Sequence, residues 1–448
     1  MRGLPWLTAS SVVSSAIGLV QNAVVARVLG VERFGILGIL VAIGSIFAGA
    51  TDIRLGDVMT RLYYARSARI GGEHRGDVLL GGIVLQAGVG ILVALLSALT
   101  AAAYLAGSDY HPGLVWIASF FVGQAFVVPI ANMFAFAQRF SERPPAMAAL
   151  QVATAVARTA VIVAFALHDP GLAGVIRGLV VAAILGLALN GVGAVKLLRT
   201  TGVPSLRDAD ARSGLRLLWG ERRHAISFHL VGYQNLLLRS GDVLLAAAIG
   251  GQSAAGLYRF ARMCTDAVVS VFFDSFNRFF QPQLFRALQC GDMVSARRAA
   301  RRIFLLSSAI GVALLAGEYV FLEPTIATIF GAQYVDAVPA VLILTTQIFF
   351  VCGVGLWAWP VIVYRGLVGR FVQVAVVSTA VGQYLIPWLG TWVTREWAPA
   401  WLAAGHCAHY VLLYAVLQRW LRFDRRELDA ATPDVATGTY TTSPRVAG

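Results

Sequence analysis

Long apolar stretches recur along the whole chain, and they limit its fold more than any other feature. Each is about 18 residues or more, the length at which an α-helix crosses the hydrocarbon core of a bilayer. Because backbone amides in hydrocarbon must be paired within their own element, each stretch is predicted to be a helix. The predicted spans are 4–27, 35–53, 78–106, 113–137, 145–167, 171–195, 225–249, 254–280, 303–322, 338–363, 371–391 and 398–418.

The composition agrees with a chain that is embedded in lipid. Apolar residues make up 58% of the 448 residues, charged residues make up 13%, and the mean hydropathy is +0.72. A soluble domain carries about 25% charged residues, so this chain lacks the polar surface that a soluble fold needs. We therefore predict an all-α integral membrane protein with about twelve transmembrane helices.

The basic residues indicate the topology of the chain. A net charge of +13 on a soluble protein would suggest nucleic acid binding. In a membrane protein, Lys and Arg accumulate in the cytoplasmic loops. With the N-terminus inside, most of the 36 Lys and Arg residues fall in one set of loops and in the tail. We therefore predict that both termini are cytoplasmic, and we expect no nucleic-acid partner.

A long basic loop divides the chain into two blocks of six predicted helices. This cytoplasmic linker covers 196–224. The N-terminal six-helix lobe is predicted over 1–195 and the C-terminal six-helix lobe over 225–420. The last segment, 421–448, is rich in Thr, Asp, Pro and Gly and is predicted to be a disordered cytoplasmic tail.

Glycine spacing indicates that the two blocks are an internal repeat. Gly30 and Gly35 bracket the first outer loop, and Gly251 and Gly256 bracket the corresponding loop 221 positions later. A Gly-x-x-Tyr pattern in the second outer loop of each block recurs at nearly the same offset. Repeats of this kind place the substrate site of a transporter at the interface between the halves.

Several predicted spans carry polar or charged side chains along one face. An arginine or aspartate at the bilayer centre costs about 2.5–3.5 kcal/mol, so it usually faces water or a partner. Residues three or four apart share a helix face. The faces are Gln151, Thr154 and Arg158 in the fifth span; Asn235, Arg239 and Asp242 in the seventh; Arg259, Arg262, Asp266, Ser270, Asp274 and Asn277 in the eighth; and a serine-rich face that ends near Arg27 in the first.

Two interpretations of the arginines remain open at this point. Arg239 with Asp242 also fits a buried structural ion pair, and Arg259 with Arg262 also fits side chains that extend to the outer headgroups. Arginines on four separate helices fit better the cationic wall of a central cavity. Forked guanidinium groups suit phosphate oxygens, so such a wall would attract an anionic group.

The intramembrane acids also have two interpretations. Asp242, Asp266 and Asp274 are candidate sites for a coupling proton or sodium ion, because intramembrane carboxylates commonly act as relays in transporters. They equally fit simple charge partners of the neighbouring arginines.

Sequence motifs of enzymes do not occur in this chain. It has no Gly-x-x-x-x-Gly-Lys-Ser/Thr phosphate loop, no His-Glu-x-x-His and no Gly-x-Ser-x-Gly. The four cysteines lie in separate segments without Cys-x-x-Cys spacing, so they indicate neither a metal site nor a disulfide framework. We expect a protein that is not an enzyme and that uses no cofactor or metal.

Several short patterns together resemble a known family. The segment 26–35, ARVLGVERFG, is similar to the "A-R-x-L-G-x-E-x-F-G" pattern of Wzx-type polysaccharide flippases, in the superfamily of MATE exporters and lipid II flippases. The segments 256–261 (GLYRFA) and 330–334 (FGAQY) resemble that family's "G-x-Y-x-x-A" and "F-G-x-x-Y" elements. The resemblance extends from about residue 5 to 420 and is carried by the order of the patterns.

The resemblance implies two six-helix lobes around a central cavity. Such proteins move polyprenyl-pyrophosphate-linked oligosaccharides across the membrane by alternating access and hold the pyrophosphate with cavity arginines. The arginine of the first helix then corresponds to Arg27 and that of the eighth to Arg262, with Arg259 as a neighbour. Arg158 and Arg239, with Asn235, come from the helix-face argument instead. The second-half echo of the first outer-loop motif lacks its charged pair.

We therefore predict a flippase for lipid-linked oligosaccharide in a bacterial cytoplasmic membrane, serving polysaccharide biosynthesis. Its expected partners are the lipid-linked glycan, membrane lipids, a coupling proton or sodium ion, and other membrane proteins of polysaccharide assembly. Two alternatives remain, a MATE-like exporter of small molecules and a membrane glycosyltransferase or polymerase. The exporter would call for a cavity dominated by acids, and the enzyme for a larger outer loop.

Overall fold

The computed structural model describes residues 4–51, 75–107, 113–138, 143–199, 209–220 and 240–422. Within these ranges every regular element is a helix and no strand occurs. Nine helical stretches of this described part are long and apolar enough to cross a membrane, and the first of them, Ala9–Gly49, covers two predicted spans. Every predicted span overlaps a helix, wholly or in part. The predicted all-α membrane fold is confirmed.

The first half of the chain contributes five long helices and one short one. The long helices are α1 (Leu4–Thr51), α2 (Arg75–Ala106), α3 (114–137, with a π-helical turn at Gly123–Val127), α4 (Pro144–His168) and α5 (Leu172–Arg199). The short helix, α6 (Ala211–Gly220), follows in the middle linker.

The second half contributes five more helices, of which two contain π-helical turns. They are α7 (Asp242–Gln289), α8 (Met293–Ile329), α9 (332–364, with a π-helical turn at Val351–Gly355), α10 (368–393, with a π-helical turn at Thr379–Leu385) and α11 (Ala398–Leu421).

Two glycines form matching corners in the two halves. α1 bends at Gly30, whose φ is 71° and ψ is 173°, and α7 bends at Gly251, whose φ is 76° and ψ is −166°. These dihedral angles lie where essentially only glycine is stable, because glycine has no Cβ. The corners are 221 residues apart. The glycine repeat predicted from sequence is therefore a repeat of backbone conformation.

Each half packs mainly on itself. In the first half, Ser10 donates to Gln151 over 3.1 Å and Thr159 donates to Gln21 over 3.0 Å, which joins α1 to α4. In the second half, α7 packs against α8, α9 and α11. The largest contact between the halves joins α1 to α7. Large apolar side chains on the outer faces of the helices are exposed, as expected for a surface that meets lipid.

The middle linker contains a helix that the sequence analysis did not predict. α6 packs on α2 where Gly214 meets Gly81, and a Cβ on Gly214 would lie 1.9 Å from the carbonyl oxygen of Asp77. The Asp77 carboxylate also accepts a hydrogen bond of 2.7 Å from the Asp210 amide. The linker boundaries 196 and 224 stay predictions, since residues 200–208 and 221–239 lie outside the described ranges, as does the tail after 422.

Candidate functional site

A cavity of about 220 Å³ lies between the two halves. Its lining combines residues of α1 with residues at the start of α7 and beyond the α7 corner. The lining residues are Asn22, Phe34, Gly38, Val41, Ala42, Ser240, Val243, Arg259, Arg262, Met263 and Asp266. Two arginines and one aspartate of the predicted polar face on the eighth span therefore meet the first half of the chain in one hollow.

Arg259 crosses from the second half to the first. Its guanidinium carbon lies 4.7 Å from the ring centre of Phe34, and its Nη1 donates to the Phe34 carbonyl over 3.4 Å. Gly38 makes room for it, because a Cβ there would lie 2.7 Å from the Arg259 Cδ. In the part of the chain that the structure describes, no carboxylate pairs with Arg259. Its positive charge is therefore available in the cavity.

Arg262 is buried and has several partners. Its Nη2 lies 3.1 Å from the Asp266 carboxylate, and its Nε lies 3.9 Å from that of Asp242. Its Nη1 lies 2.5 Å from Nε2 of His406 on α11, and the same His406 atom lies 3.2 Å from Oε1 of Gln347 on α9. Arg262 thus joins the cavity to the interior of the second half.

The two acids beside Arg262 occupy different environments. Asp242 is fully buried, and its carboxylate accepts hydrogen bonds of 2.8 Å from the Tyr258 hydroxyl and from the Val243 amide. The side chain of Asp266 is 47% exposed and lines the cavity. Asp242 is held in place by its neighbours, whereas Asp266 is accessible from the cavity.

A second set of contacts joins the halves at the two corners, and we call it the corner contact (residues 26–35, 251–260 and 328–334). The Tyr334 hydroxyl donates to the Ala26 carbonyl over 2.9 Å. Ser253 Oγ donates to the Glu32 carboxylate over 3.4 Å. The rings of Phe34, Phe260, Phe330 and Tyr334 pack together, with centroids 4.7–6.2 Å apart.

The corner contact is reciprocal between the two repeats. A Cβ on Gly35 would lie 2.0 Å from the carbonyl oxygen of Gln252, and a Cβ on Gly256 would lie 2.1 Å from that of Val31. Each of these residues has its counterpart 221 positions along the chain. The two corners therefore cross backbone against backbone through equivalent glycines. The patterns that carried the family resemblance, 26–35, 256–261 and 330–334, contribute to this contact.

The structure brings four predicted site residues together and separates two others. Arg259, Arg262, Asp242 and Asp266 form one cluster. Of the described residues, those that line the cavity include neither Arg27 nor Arg158.

Arg27 lies at the corner contact instead of the cavity. It is exposed, and its Nη1 donates to the carbonyls of Thr328 and Ile329 over 3.4 Å each, at the last turn of α8. Arg158 lies against Gly186 of α5, and its Nε is buried without a hydrogen-bond partner among the described residues.

Some predictions cannot be placed and some contacts were not predicted. Asn235, Arg239 and the side chain of Asp274 lie outside the described part of the chain.

His406 and Gln347 are part of the Arg262 cluster but were not among the predicted site residues. Their only sequence signal is a polar residue within an apolar span, and that signal does not identify the partner.

Comparison with solved structures identifies the fold. An inward-facing MATE multidrug transporter of the MOP superfamily matches with a TM-score of 0.69 at 14% identity, covering 94% of this chain and 96% of that chain. The eukaryotic MATE transporter AtDTX14 matches with a TM-score of 0.62 at 14% identity, covering 96% and 98%. A mutant of the Vibrio cholerae MATE transporter VcmN matches with a TM-score of 0.58 at 15% identity, covering 95% and 98%.

Sequence comparison identifies the family. No curated protein matches the chain. The family described as "Polysaccharide biosynthesis protein" matches residues 1–288, more than half of the chain. The two-lobed, all-helical membrane fold agrees with this match. The chain therefore belongs to the polysaccharide biosynthesis protein family and has the fold of the MATE transporters of the MOP superfamily.

Proposed function

We propose that this protein is a flippase that moves polyprenyl-pyrophosphate-linked oligosaccharide across a bacterial cytoplasmic membrane by alternating access. The observation that carries the proposal is the cavity between the halves, which is lined by Arg259 and Arg262. Arg259 has no acidic partner among the described residues, so an anionic head group would supply its missing counter-charge. The family match supports a role in polysaccharide assembly.

The cavity chemistry suits a pyrophosphate. A guanidinium group offers several donors in a fixed fork, and charge-assisted hydrogen bonds to phosphate are among the stronger ones. Pockets for drug-sized ligands usually measure about 300–1,000 Å³. The cavity of about 220 Å³ is smaller, which favours a compact head group over a long glycan in this conformation. The polyprenyl tail would remain in lipid while the head group crosses.

The corner contact supports alternating access between two states. It closes one end of the interface between the halves, with Gly35 and Gly256 at backbone distance. A cargo that enters from the other end would leave only after this contact opens. From the distribution of basic residues we infer that both termini are cytoplasmic, so the closed end faces outward.

One observation favours a second candidate, a MATE-like exporter. The half-exposed carboxylate of Asp266 lies in the same cavity and would attract a cationic solute. That carboxylate is paired with Arg262 over 3.1 Å, whereas Arg259 lacks a described acidic partner. The charge balance of the cavity therefore favours an anionic cargo over a cationic one.

The test is transport by the purified protein in liposomes. A fluorescent polyprenyl-pyrophosphate-linked saccharide is placed in one leaflet, and its appearance in the other is measured by quenching with a membrane-impermeant reagent. The Arg259→Gln variant should transport at least about tenfold more slowly, because hydrogen bonds to charged groups contribute about 1.5–3 kcal/mol. The control is Arg177→Gln, which removes an arginine paired with Asp169 outside the cavity.

Three results would contradict the proposal. Liposomes with wild-type protein that scramble the lipid no faster than empty liposomes would remove the flippase function. A normal rate in Arg259→Gln would remove the cavity role of this arginine. New glycosidic bonds in the recovered lipid would show a polymerase or glycosyltransferase instead.

A further inference from the structure

The helix of the middle linker, α6, has a basic and aromatic face that the proposed transport cycle does not use. At about 100° per residue, Arg212, Arg216 and Trp219 lie within roughly 60° of one direction. All three side chains are exposed, and Trp219 is 70% exposed. On the far side of the helix, Gly214 and Leu218 are buried. α6 is therefore amphipathic, with one side packed in the protein and the other side open.

Close backbone packing holds α6 on the first turns of α2. A Cβ on Gly81 would lie 2.7 Å from the carbonyl carbon of Gly214, so the two helices touch where neither has a side chain. The Asp77 carboxylate accepts a hydrogen bond of 2.7 Å from the Asp210 amide, and the Asp210 carboxylate accepts one of 2.9 Å from the Arg212 amide. These contacts fix the position of α6 without using an arginine side chain.

The attachment to α2 places α6 at the boundary of the membrane. The part of α2 that is long and apolar enough to cross a bilayer is Gly76–Ala106, so Asp77 and Gly81 lie within its first two turns. Tryptophan and long basic side chains are typical of the level of the lipid headgroups, where one end of the side chain is apolar and the other is polar. The exposed face of α6 is therefore positioned to meet the headgroups of one leaflet.

We propose that this face of α6 is a binding site for an anionic phospholipid of the adjacent leaflet. The guanidinium groups of Arg212 and Arg216 would bind the phosphate of one headgroup. The indole of Trp219 would lie beside the glycerol and the upper part of the acyl chains. Through α6 and α2, the bound lipid would hold the first half of the chain to the membrane surface.

The charges on this face favour an anion. Arg212 and Arg216 are one helix turn apart, and the ion pairs of the described residues involve neither of them. Like charges at this spacing repel each other, so an anion shared between them removes an unfavourable interaction. Guanidinium groups also match the geometry of phosphate oxygens. A zwitterionic lipid would leave the positive charge of the face uncompensated.

The aromatic residue indicates a lipid and not a soluble anion. Trp219 lies in the last turn of α6, beside Arg216 on the same face. A soluble phosphate would bind the arginines but leave most of the indole in water. A phospholipid offers both a charged headgroup and an apolar region at the depth where tryptophan is favoured. One amphipathic ligand therefore satisfies both kinds of side chain.

The experiment detects binding locally, with a fluorophore at the end of α6. Gly220 is exposed, and a Cβ there would meet no atom within 4 Å, so Gly220→Cys can carry an environment-sensitive dye. The full-length protein, with its four native cysteines replaced by serine, is purified in a neutral detergent. It is titrated with dioctanoyl phosphatidylglycerol or with dioctanoyl phosphatidylcholine. We expect saturable binding of phosphatidylglycerol and a dissociation constant at least about tenfold higher for phosphatidylcholine.

Each arginine of the face should contribute to this affinity. Arg212→Gln and Arg216→Gln should each raise the dissociation constant for phosphatidylglycerol by about fivefold, the factor typical of one basic residue near an anionic surface. Glutamine and arginine have similar helix propensities, so α6 should stay folded, and Arg216→Lys should keep most of the affinity. The matched control changes Arg297 and Arg301 to glutamine. These are exposed arginines one turn apart on α8, and their loss should leave the dye response unchanged.

Four results would overturn the proposal. Equal affinity for the two phospholipids would remove the selectivity for an anion, and unchanged affinity in the double variant Arg212→Gln and Arg216→Gln would remove the role of the arginines. Equal binding of inorganic phosphate would make the face a site for soluble anions. Tighter binding of geranyl pyrophosphate, a soluble analogue of the proposed cargo head group, would make it a receiving site for cargo. Transport is not measured here, so the proposed function is tested separately.

Discussion

Arginines of similar sequence context have different partners in the structure, as Arg27, Arg259 and Arg262 show. Arg27 donates to two carbonyls at the end of α8, where the helix dipole is negative and a cation is favoured. Arg259 and Arg262 line the cavity, and only Arg262 is neutralised by described carboxylates. This arrangement favours a closing role for Arg27 at the corner contact, whereas the resemblance implies pyrophosphate binding.

Asp292 provides a prediction about stability at the scale of a single residue. It precedes α8, and its carboxylate accepts a 2.9 Å hydrogen bond from the Ser295 amide as an N-cap. The Asp292→Ala variant should lower the free energy of unfolding by about 1 kcal/mol at pH 7. Thermal unfolding in detergent, followed by tryptophan fluorescence, measures the change.

The effect of Asp292 should depend on pH in a defined direction. The hydrogen bonds from Ser295 lower the pKa of the Asp292 carboxyl below its ordinary value of about 3.9. The ionised form is therefore the stabilising one, its contribution is complete above that ordinary value, and it is lost as the pH falls through the lowered pKa. Asp292→Asn keeps an acceptor for the cap, so it should resemble wild type at pH 7. Equal stability of Asp292→Ala and wild type would contradict the cap.

At the scale of helices, the corner glycines should be sensitive to a single methyl group. A Cβ on Gly35 would lie 2.0 Å from a backbone carbonyl oxygen of the other half, and a Cβ on Gly256 would lie 2.1 Å from one. A backbone atom cannot rotate away as a side chain can, so the two corners must separate. Gly35→Ala and Gly256→Ala should each lower the unfolding temperature, because forcing an extra methyl group into a closely packed contact costs about 1–3 kcal/mol.

A double variant at the two corner glycines and a control variant at another glycine make this prediction specific. The double variant should lose less than the sum of the single variants, because both changes open the same contact. Gly88→Ala adds a methyl group at a helical position of α2 with no atom within 4 Å, and it should leave stability unchanged or raised. The idea fails if Gly35→Ala behaves like Gly88→Ala.

Helices and corners were accessible from the sequence because their signals are local. Apolar length predicts a span without any knowledge of its neighbours. The repeated glycines predicted an internal repeat, and the structure shows that Gly30 and Gly251 also share a bend. The spacing of one helix turn placed Arg262 and Asp266 on one face, and their pairing was one of the two interpretations that the sequence left open. α6 was missed because it lies in a polar loop, where apolar length gives no signal.

Contacts between distant segments were not accessible in this way. His406 reaches Arg262 across 144 positions, and no periodicity within α11 indicates which helix it faces. Arg27 stands near a helix corner, from which its side chain can extend to a headgroup, a cavity or a neighbouring helix. Only the packing of the two halves selects the carbonyls of Thr328 and Ile329.

At the scale of the whole molecule, the proposed transport cycle requires the corner contact to open. Most of its described contacts run from one half to the other, between residues of α1 and residues of α7, the end of α8 or the start of α9. Contacts within one half can persist through the cycle, since each half packs mainly on itself. The proposed mechanism therefore distinguishes between links across the halves and links within one half.

A cleavable crosslink tests this distinction. Glu32→Cys with Ser253→Cys places two thiols at exposed positions whose native side chains lie 3.4 Å apart across the halves. In a background with the four native cysteines replaced by serine, a short bis-methanethiosulfonate crosslinker should stop transport in liposomes, and reduction should restore it. Binding of geranyl pyrophosphate should persist in the crosslinked protein, because the cavity is already present with the corners closed.

The matched pair Asp169→Cys with Arg177→Cys replaces a 3.1 Å ion pair within the first half. Its crosslink should leave transport unchanged, because the first half has no need to open internally. Full transport by the crosslinked Glu32→Cys and Ser253→Cys protein would contradict the prediction. It would mean that the corners stay closed while cargo crosses. The cargo would then need a route that does not separate α1 from α7 at their glycine corners, and alternating access about this contact would be wrong.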